Sequence, residues 1–161
     1  MTDRIQRRLV SILLCVPLIG GPSLAGLASA ADAQPDVRTI AFVKTASGSA
    51  TLVRDGATEA LHPGTPLREK DRIETGADGS VGVTFRDNTR IALGPKSRVE
   101  LERFVFKPAD KQYGFVLRLV RGTLEYISGL TAKLPPEAMS IETPTSTLGV
   151  RGTRFLARVE E

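Results

Sequence analysis

From residue 38 onward, apolar residues recur at every second position, and turn-forming residues interrupt them about every 8–12 residues. Val81, Val83 and Phe85 alternate with Gly82 and Thr84. Ile91 and Leu93 follow the turn Arg86-Asp87-Asn88-Thr89, and Val99 and Leu101 follow Gly94-Pro95 and alternate with Glu100 and Glu102. Phe115, Leu117 and Leu119 make a further face. A period of two puts the apolar side chains on one side of a pleated strand and the polar ones on the other. No stretch beyond residue 30 sustains a helical period. The pattern predicts a single all-β domain: a compact β-roll, a short β-solenoid or a sandwich-like fold. Val81, Val83, Phe85, Ile91, Leu93, Leu117, Leu119, Val150 and Phe155 are its expected core.

The punctuation fixes connections. Asp55-Gly56 closes a hairpin between 49–54 and 57–61, since two residues that tolerate positive φ match the twist of paired strands. His62-Pro63-Gly64 and Pro66 break the chain, and Lys107-Pro108-Ala109-Asp110-Lys111 reads as a solvated loop. Arg121-Gly122 is expected to turn between two separate strands. Residues 130–137, with Pro135-Pro136, read as a loop or a single helical turn. Two last strands carry Leu148 and Val150, then Phe155, Ala157 and Val159. Ile73-Glu74-Thr75-Gly76 and Ile141-Glu142-Thr143-Pro144 echo each other ahead of alternating segments, which fits a strand-turn-strand unit used twice.

Residues 1–30 read as a cleaved signal peptide. Arg4, Arg7 and Arg8 precede the apolar run 9–19, and Ala28-Ser29-Ala30 supplies small residues for cleavage after Ala30. An uncleaved anchor is the alternative, opposed by Gly20-Gly21-Pro22, which interrupts the run before it reaches the length of a span. Cys15, inside the run and preceded by Leu14, lacks the small residue a lipidation signal needs, so the mature chain would carry no cysteine. Residues 31–37 form a short polar lead-in and 38–161 the domain. Without residues 1–30 the chain holds 19 basic and 17 acidic residues, a balance of +2 that gives no case for nucleic-acid binding. The expected location is periplasmic or secreted, with no stable membrane span after cleavage.

Residues with chemical potential are few. His62, the only histidine, precedes Pro63-Gly64 and has no partner nearby in sequence. Asp71, Asp78 and Asp87 match no calcium-loop spacing, and Asp78-Gly79 and Asp87-Asn88 sit where Asp favours turns. Glu100 and Glu102 share a strand face and read as solvated. Gly149-Val150-Arg151-Gly152-Thr153 lacks the Lys-Ser/Thr ending of a phosphate loop. These residues supply no catalytic set, no metal site and no cofactor site. Gly152 is expected to bend the chain between two strands. Arg151 then suits a structural pairing, because a guanidinium fork fits a fixed carboxylate, and Arg154 suits an outward contact.

Read in order, several stretches resemble the FecR domain. They are Gly64-Thr65-Pro66-Leu67, then Asp71-x-Ile73-x-Thr75-Gly76, then Ser80-Val81 with Val83, Phe85 and Asp87, and finally Thr143-Pro144 with Gly149-Val150-Arg151-Gly152-Thr153-x-Phe155. The resemblance spans roughly 48–159. It departs after Asp87, where Asn88-Thr89 replaces the Gly-Ser of many members. It implies an exported all-β module, with Asp71, Thr75, Gly76, Asp87, Thr143, Pro144, Gly149, Gly152, Thr153 and Phe155 as its structural motif. It further implies a contact with another envelope protein, for which Arg151 and Arg154 are the expected binding residues. The cytoplasmic anti-sigma segment and receptor-contacting subdomain of the family's regulators are not matched, so sigma-factor control is not carried over. A cell-wall or carbohydrate-binding module is the alternative. It is weakened by the absence of Trp and the presence of only two Tyr, since sugar sites rely on stacked aromatics.

Overall fold

The computed structural model describes residues 38–130, 139–149 and 154–160. The expectations for the signal peptide and lead-in, for most of 130–137, and for Val150, Arg151, Gly152 and Thr153 lie outside the described residues. Within them the chain is built from strands, with no α-helix. In order these are β1 (Ala41–Ser47), β2 (Ala50–Arg54), β3 (Ala57–Ala60), β4 (Pro66–Leu67), β5 (Arg72–Thr75) and β6 (Ser80–Phe85). There follow β7 (Arg90–Leu93), β8 (Arg98–Lys107), β9 (Gln112–Ile127), β10 (Met139–Glu142), β11 (Thr147–Gly149) and β12 (Arg154–Val159).

The strands form one strongly curled sheet, a half-barrel in order β3-β2-β5-β8-β9-β7-β6-β1-β4. All its pairings are antiparallel except β10 on β9, which is parallel. The all-β expectation holds. The local hairpin does too: Thr51 pairs with Ala60 through Arg54 with Ala57. Asp55 and Gly56 take φ of 50° and 83°, the two left-handed positions this tight turn requires.

One expectation fails. Arg121-Gly122 does not turn between two strands; β9 runs unbroken from Gln112 to Ile127 and bends there. Residues 112–121 pair with β8, while 122–127 pair with β12 and 124–127 with β7. A Gly at φ 86° admits the bend without ending the strand. The sheet is thereby folded into two arms that share β9.

The core fills the concave side. Val81, Val83, Phe85, Ile91, Leu93, Leu117 and Leu119 are all buried there, and Phe155 is half-buried against them. Phe85 stacks on Phe104 at 5.4 Å and meets Phe115 edge-on at 4.9 Å, so rings from both arms interlock. Tyr126, fully buried, stacks on Phe155 at 5.0 Å. The Ile73 and Ile141 echo has a structural counterpart: both are fully buried, on β5 and β10.

The convex side carries a charge ladder. Arg72, Glu100, Arg118 and Glu142 lie directly opposite one another across β5, β8, β9 and β10. Arg118 Nη2 stands 2.9 Å from Glu142 Oε2 and its Nη1 3.6 Å from Glu102 Oε1. The bond to Glu142 holds the Arg118 guanidinium above its ordinary value. Lys70 hydrogen-bonds Glu102 and holds that carboxyl below the usual range. Glu100 and Glu102 thus lie on an outer face, as expected, and are paired there.

Candidate functional site

Three polar clamps account for motif residues in the first part of the domain. Asp71 is buried at the entry to β5. It accepts hydrogen bonds from Arg54 Nε at 2.8 Å, Arg54 Nη2 at 2.7 Å and the Arg68 backbone N–H at 2.7 Å. Arg54 Nη2 also reaches the Pro66 carbonyl at 2.9 Å. The two-point bond to Asp71 raises the Arg54 guanidinium above its ordinary value. The carboxylate is a fastener tying β2 to the loop before β5, and Arg54 supplies its guanidinium fork.

Thr75 and Ser97 are buried at the β9 bend. Thr75 Oγ1 donates to the Gly94 carbonyl at 2.7 Å and accepts from the Ser97 N–H at 2.8 Å. Ser97 Oγ accepts from the Thr123 N–H at 2.9 Å, one residue past Gly122. A Cβ on Gly122 would stand 2.3 Å from that oxygen, so only glycine lets the backbone approach. Next in the chain, the Gly76 N–H donates to the Ser49 carbonyl at 2.8 Å.

Asp87 is fully buried in the β6–β7 turn. It accepts from the Thr89 N–H at 3.0 Å and from Thr89 Oγ1 at 2.6 Å. Its carbonyl takes the Leu130 N–H at 2.7 Å, and Thr89 Oγ1 takes the Gly129 N–H at 3.1 Å, which pins the chain leaving β9 to this turn. Asn88 supplies the left-handed position at φ 65°, which Asn tolerates as Gly does. His62 is exposed in its turn, its carbonyl accepting from the Thr65 N–H at 3.1 Å.

The C-terminal motif faces the other way. Thr143 and Pro144 begin the β10–β11 turn, closed by Thr143 N–H on the Ser146 carbonyl at 2.8 Å and by Ser146 N–H on Thr143 Oγ1 at 3.0 Å. Gly149 is exposed at the end of β11. β11 pairs only with β10, and β12 only with β9, so both are edges among the described residues. Between them lies a cleft of about 560 Å³, floored by Val120 and flanked by Thr143, Leu148, Leu156 and Val159. Leu148 is 42% and Leu156 72% exposed. Arg154 is exposed beside them, its Nε 2.6 Å from Glu125 Oε1 on β9.

The sequence named Arg154 for an outward contact, and its side chain is exposed; it did not single out Leu148 and Leu156 as exposed. For Leu156 the signal was present, since it alternates with Phe155 and Ala157; Leu148 was read as an apolar strand residue with Val150, and β11 is exposed throughout. Sequence reading also missed Arg54 as the partner of Asp71, which no local spacing reveals.

The curled sheet and buried clamps define an all-β domain whose first half is fastened inward and whose last strands are open edges. The chain belongs to the FecR family: the family model described as "FecR protein" matches residues 71–161, more than half of its length. The family is one of envelope-associated signalling and regulatory proteins. The match begins at Asp71, where the first clamp sits. No curated protein and no solved structure matches the chain. Among the described residues, no helix is long and apolar enough to cross a membrane.

Proposed function

We propose that the chain is an exported, non-catalytic FecR-domain module that docks another envelope protein through its C-terminal edge. One observation carries this reading: Leu148 and Leu156 stand in solvent on either side of a cleft, on two sheet edges that are unpaired among the described residues. A solvent-facing leucine pair costs little alone, but beside open backbone edges it offers an extended segment both main-chain hydrogen bonds and apolar contact. The polar groups nearby do no evident chemistry, since Arg154 is engaged by Glu125 and Thr143 by its own turn. The clamped acidic residues support the same reading, because Asp71 and Asp87 spend their oxygens on the fold.

Residues 1–30 direct export in this reading, and the mature chain begins at Ala31. The carbohydrate alternative would need several exposed aromatic rings; among the described residues Tyr126 is sealed in the core, Tyr113 is half-buried beside Phe106, and of the Phe and Tyr rings only Phe42 stands exposed. The test pairs Leu148→Asp with Leu156→Asp in one protein and compares it with wild type in pull-downs from envelope extract. Capture of the envelope protein is expected to be lost, with stability changed by about 0.5 kcal/mol or less, as for exposed sites. Phe42→Asp, at an exposed position on β1, should leave capture intact. Undiminished capture by the double variant would refute the edge as the docking site.

A further inference from the structure

A second cleft, of about 590 Å³, opens among the start of the domain, the β2–β3 turn, the loop before β5 and the end of β8. Six cationic side chains line it: Arg38, Arg54, Arg68, Lys70, Arg86 and Lys107. Asp55, Glu69 and Asp71 are its only carboxylates among the lining residues. Six lining cations thus stand against three lining carboxylates, and Glu102, outside the lining, holds Lys70 as well. Residues 31–161 carry only +2 in total, 19 basic against 17 acidic, so the remainder of that stretch is net negative.

Two of the lining carboxylates are already committed. Asp71 is taken by Arg54 and the Arg68 N–H, and Glu69 Oε1 accepts the Phe104 N–H at 2.7 Å. Glu59 approaches only Arg54, at 3.8 Å, and Lys70 is held by Glu102. Arg86 and Lys107 are exposed, and no carboxylate pairs with either among the described residues. Below the cations lies an apolar shelf. Ile40 and Phe104 are buried, and Phe106 is half-buried with its ring 6.4 Å from that of Phe104 and 6.0 Å from that of Tyr113. A concave wall in which cations predominate over low-dielectric side chains focuses potential on an incoming anion.

We propose that this cleft binds a phosphate monoester, the phosphate between Arg86 and Lys107 and its organic part on Phe106. A phosphomonoester carries about −1.5 to −2 near neutral pH, which answers the two cations Arg86 and Lys107 better than a single carboxylate does. Guanidinium and ammonium donors both suit its oxygens. The same chemistry is offered by a soluble phosphate ester and by the headgroup of an anionic lipid. This site is independent of the Leu148 and Leu156 edge.

The probes are phenyl phosphate, inorganic phosphate, and vesicles of phosphatidylcholine with or without phosphatidic acid. In titrations followed by amide NMR, phenyl phosphate should shift Arg86 and residues 104–107, saturate, and bind more tightly than inorganic phosphate. Arg86→Ala with Lys107→Ala should weaken it by roughly tenfold or more, as loss of charge-assisted contacts predicts. Both sites are exposed, so the fold should survive, which the unchanged remainder of the spectrum verifies. Lys96→Ala should bind as wild type. Retention on phosphatidic-acid vesicles that the double variant loses would assign the lipid headgroup; phenyl phosphate binding without retention would assign a soluble ester. Wild-type affinity in the double variant, shifts spread equally over Lys96 and Arg158, or no saturable shift would overturn the proposal.

Discussion

The β5–β9 junction and the β11–β12 edge both carry FecR motif residues, yet they are built oppositely. At the junction, Asp71, Thr75 and Asp87 are buried and their oxygens are filled by named donors. At the edge, all three residues of β11 and half of β12 face solvent. A polar residue buried with its partners is a fastener, because leaving either member unpaired costs more than the bond is worth. An apolar residue left outside has no such role in the fold. The same family pattern thus mixes residues that hold the domain together with residues free to meet something else.

Paired truncations should separate the two regions most widely. Phe85→Ala removes a ring packed between Phe104 and Phe115 and should cost about 3–5 kcal/mol on denaturant unfolding. Phe155→Ala, half-buried on Tyr126, should cost about 1–2 kcal/mol. Equal losses would mean that β12 is as integral as β6, and the contrast would fall. Gly122→Ala comes next. The forced contact with Ser97 and the positive φ predict a loss of about 2–3 kcal/mol. An unchanged melting curve would show that the bend needs no glycine.

The smallest effect concerns pH. The Lys70 bond depresses the Glu102 carboxyl, so its contribution is fully present above the ordinary glutamate value of about 4.3 and is lost as pH falls through the lowered folded value. Lys70 is largely exposed, so the difference should be about 0.5 kcal/mol or less. Glu102→Gln should flatten the acid limb of the stability curve by that amount. A steeper loss in the variant would reverse the sign of the argument.

Strands and short turns were legible because their causes are local. Period-two alternation marked β6, β7 and β9, and Asp55-Gly56 marked its hairpin. Gly122 was misread because a glycine that bends a strand and one that ends it look alike in sequence. Only Ser97, distant in sequence in the turn before β8, decides between them. Arg54 was unrecognised for a similar reason: its match to Asp71 exists only once β2 lies against β5. At the edge, Arg154 was visible as a charge in a motif. Leu148 and Leu156 were passed over because alternation says which residues share a face, without saying which face a partner strand leaves uncovered.

The unbroken run of β9 bears on how the domain comes apart. Its first part is the middle strand between β8 and β10, and its last part the middle strand between β7 and β12. Neither arm can shed β9 without stripping the other of its central ladder. Opening should therefore be cooperative across both arms, with amides of β8 and β7 exchanging with solvent at one common free energy while those of β11 open earlier.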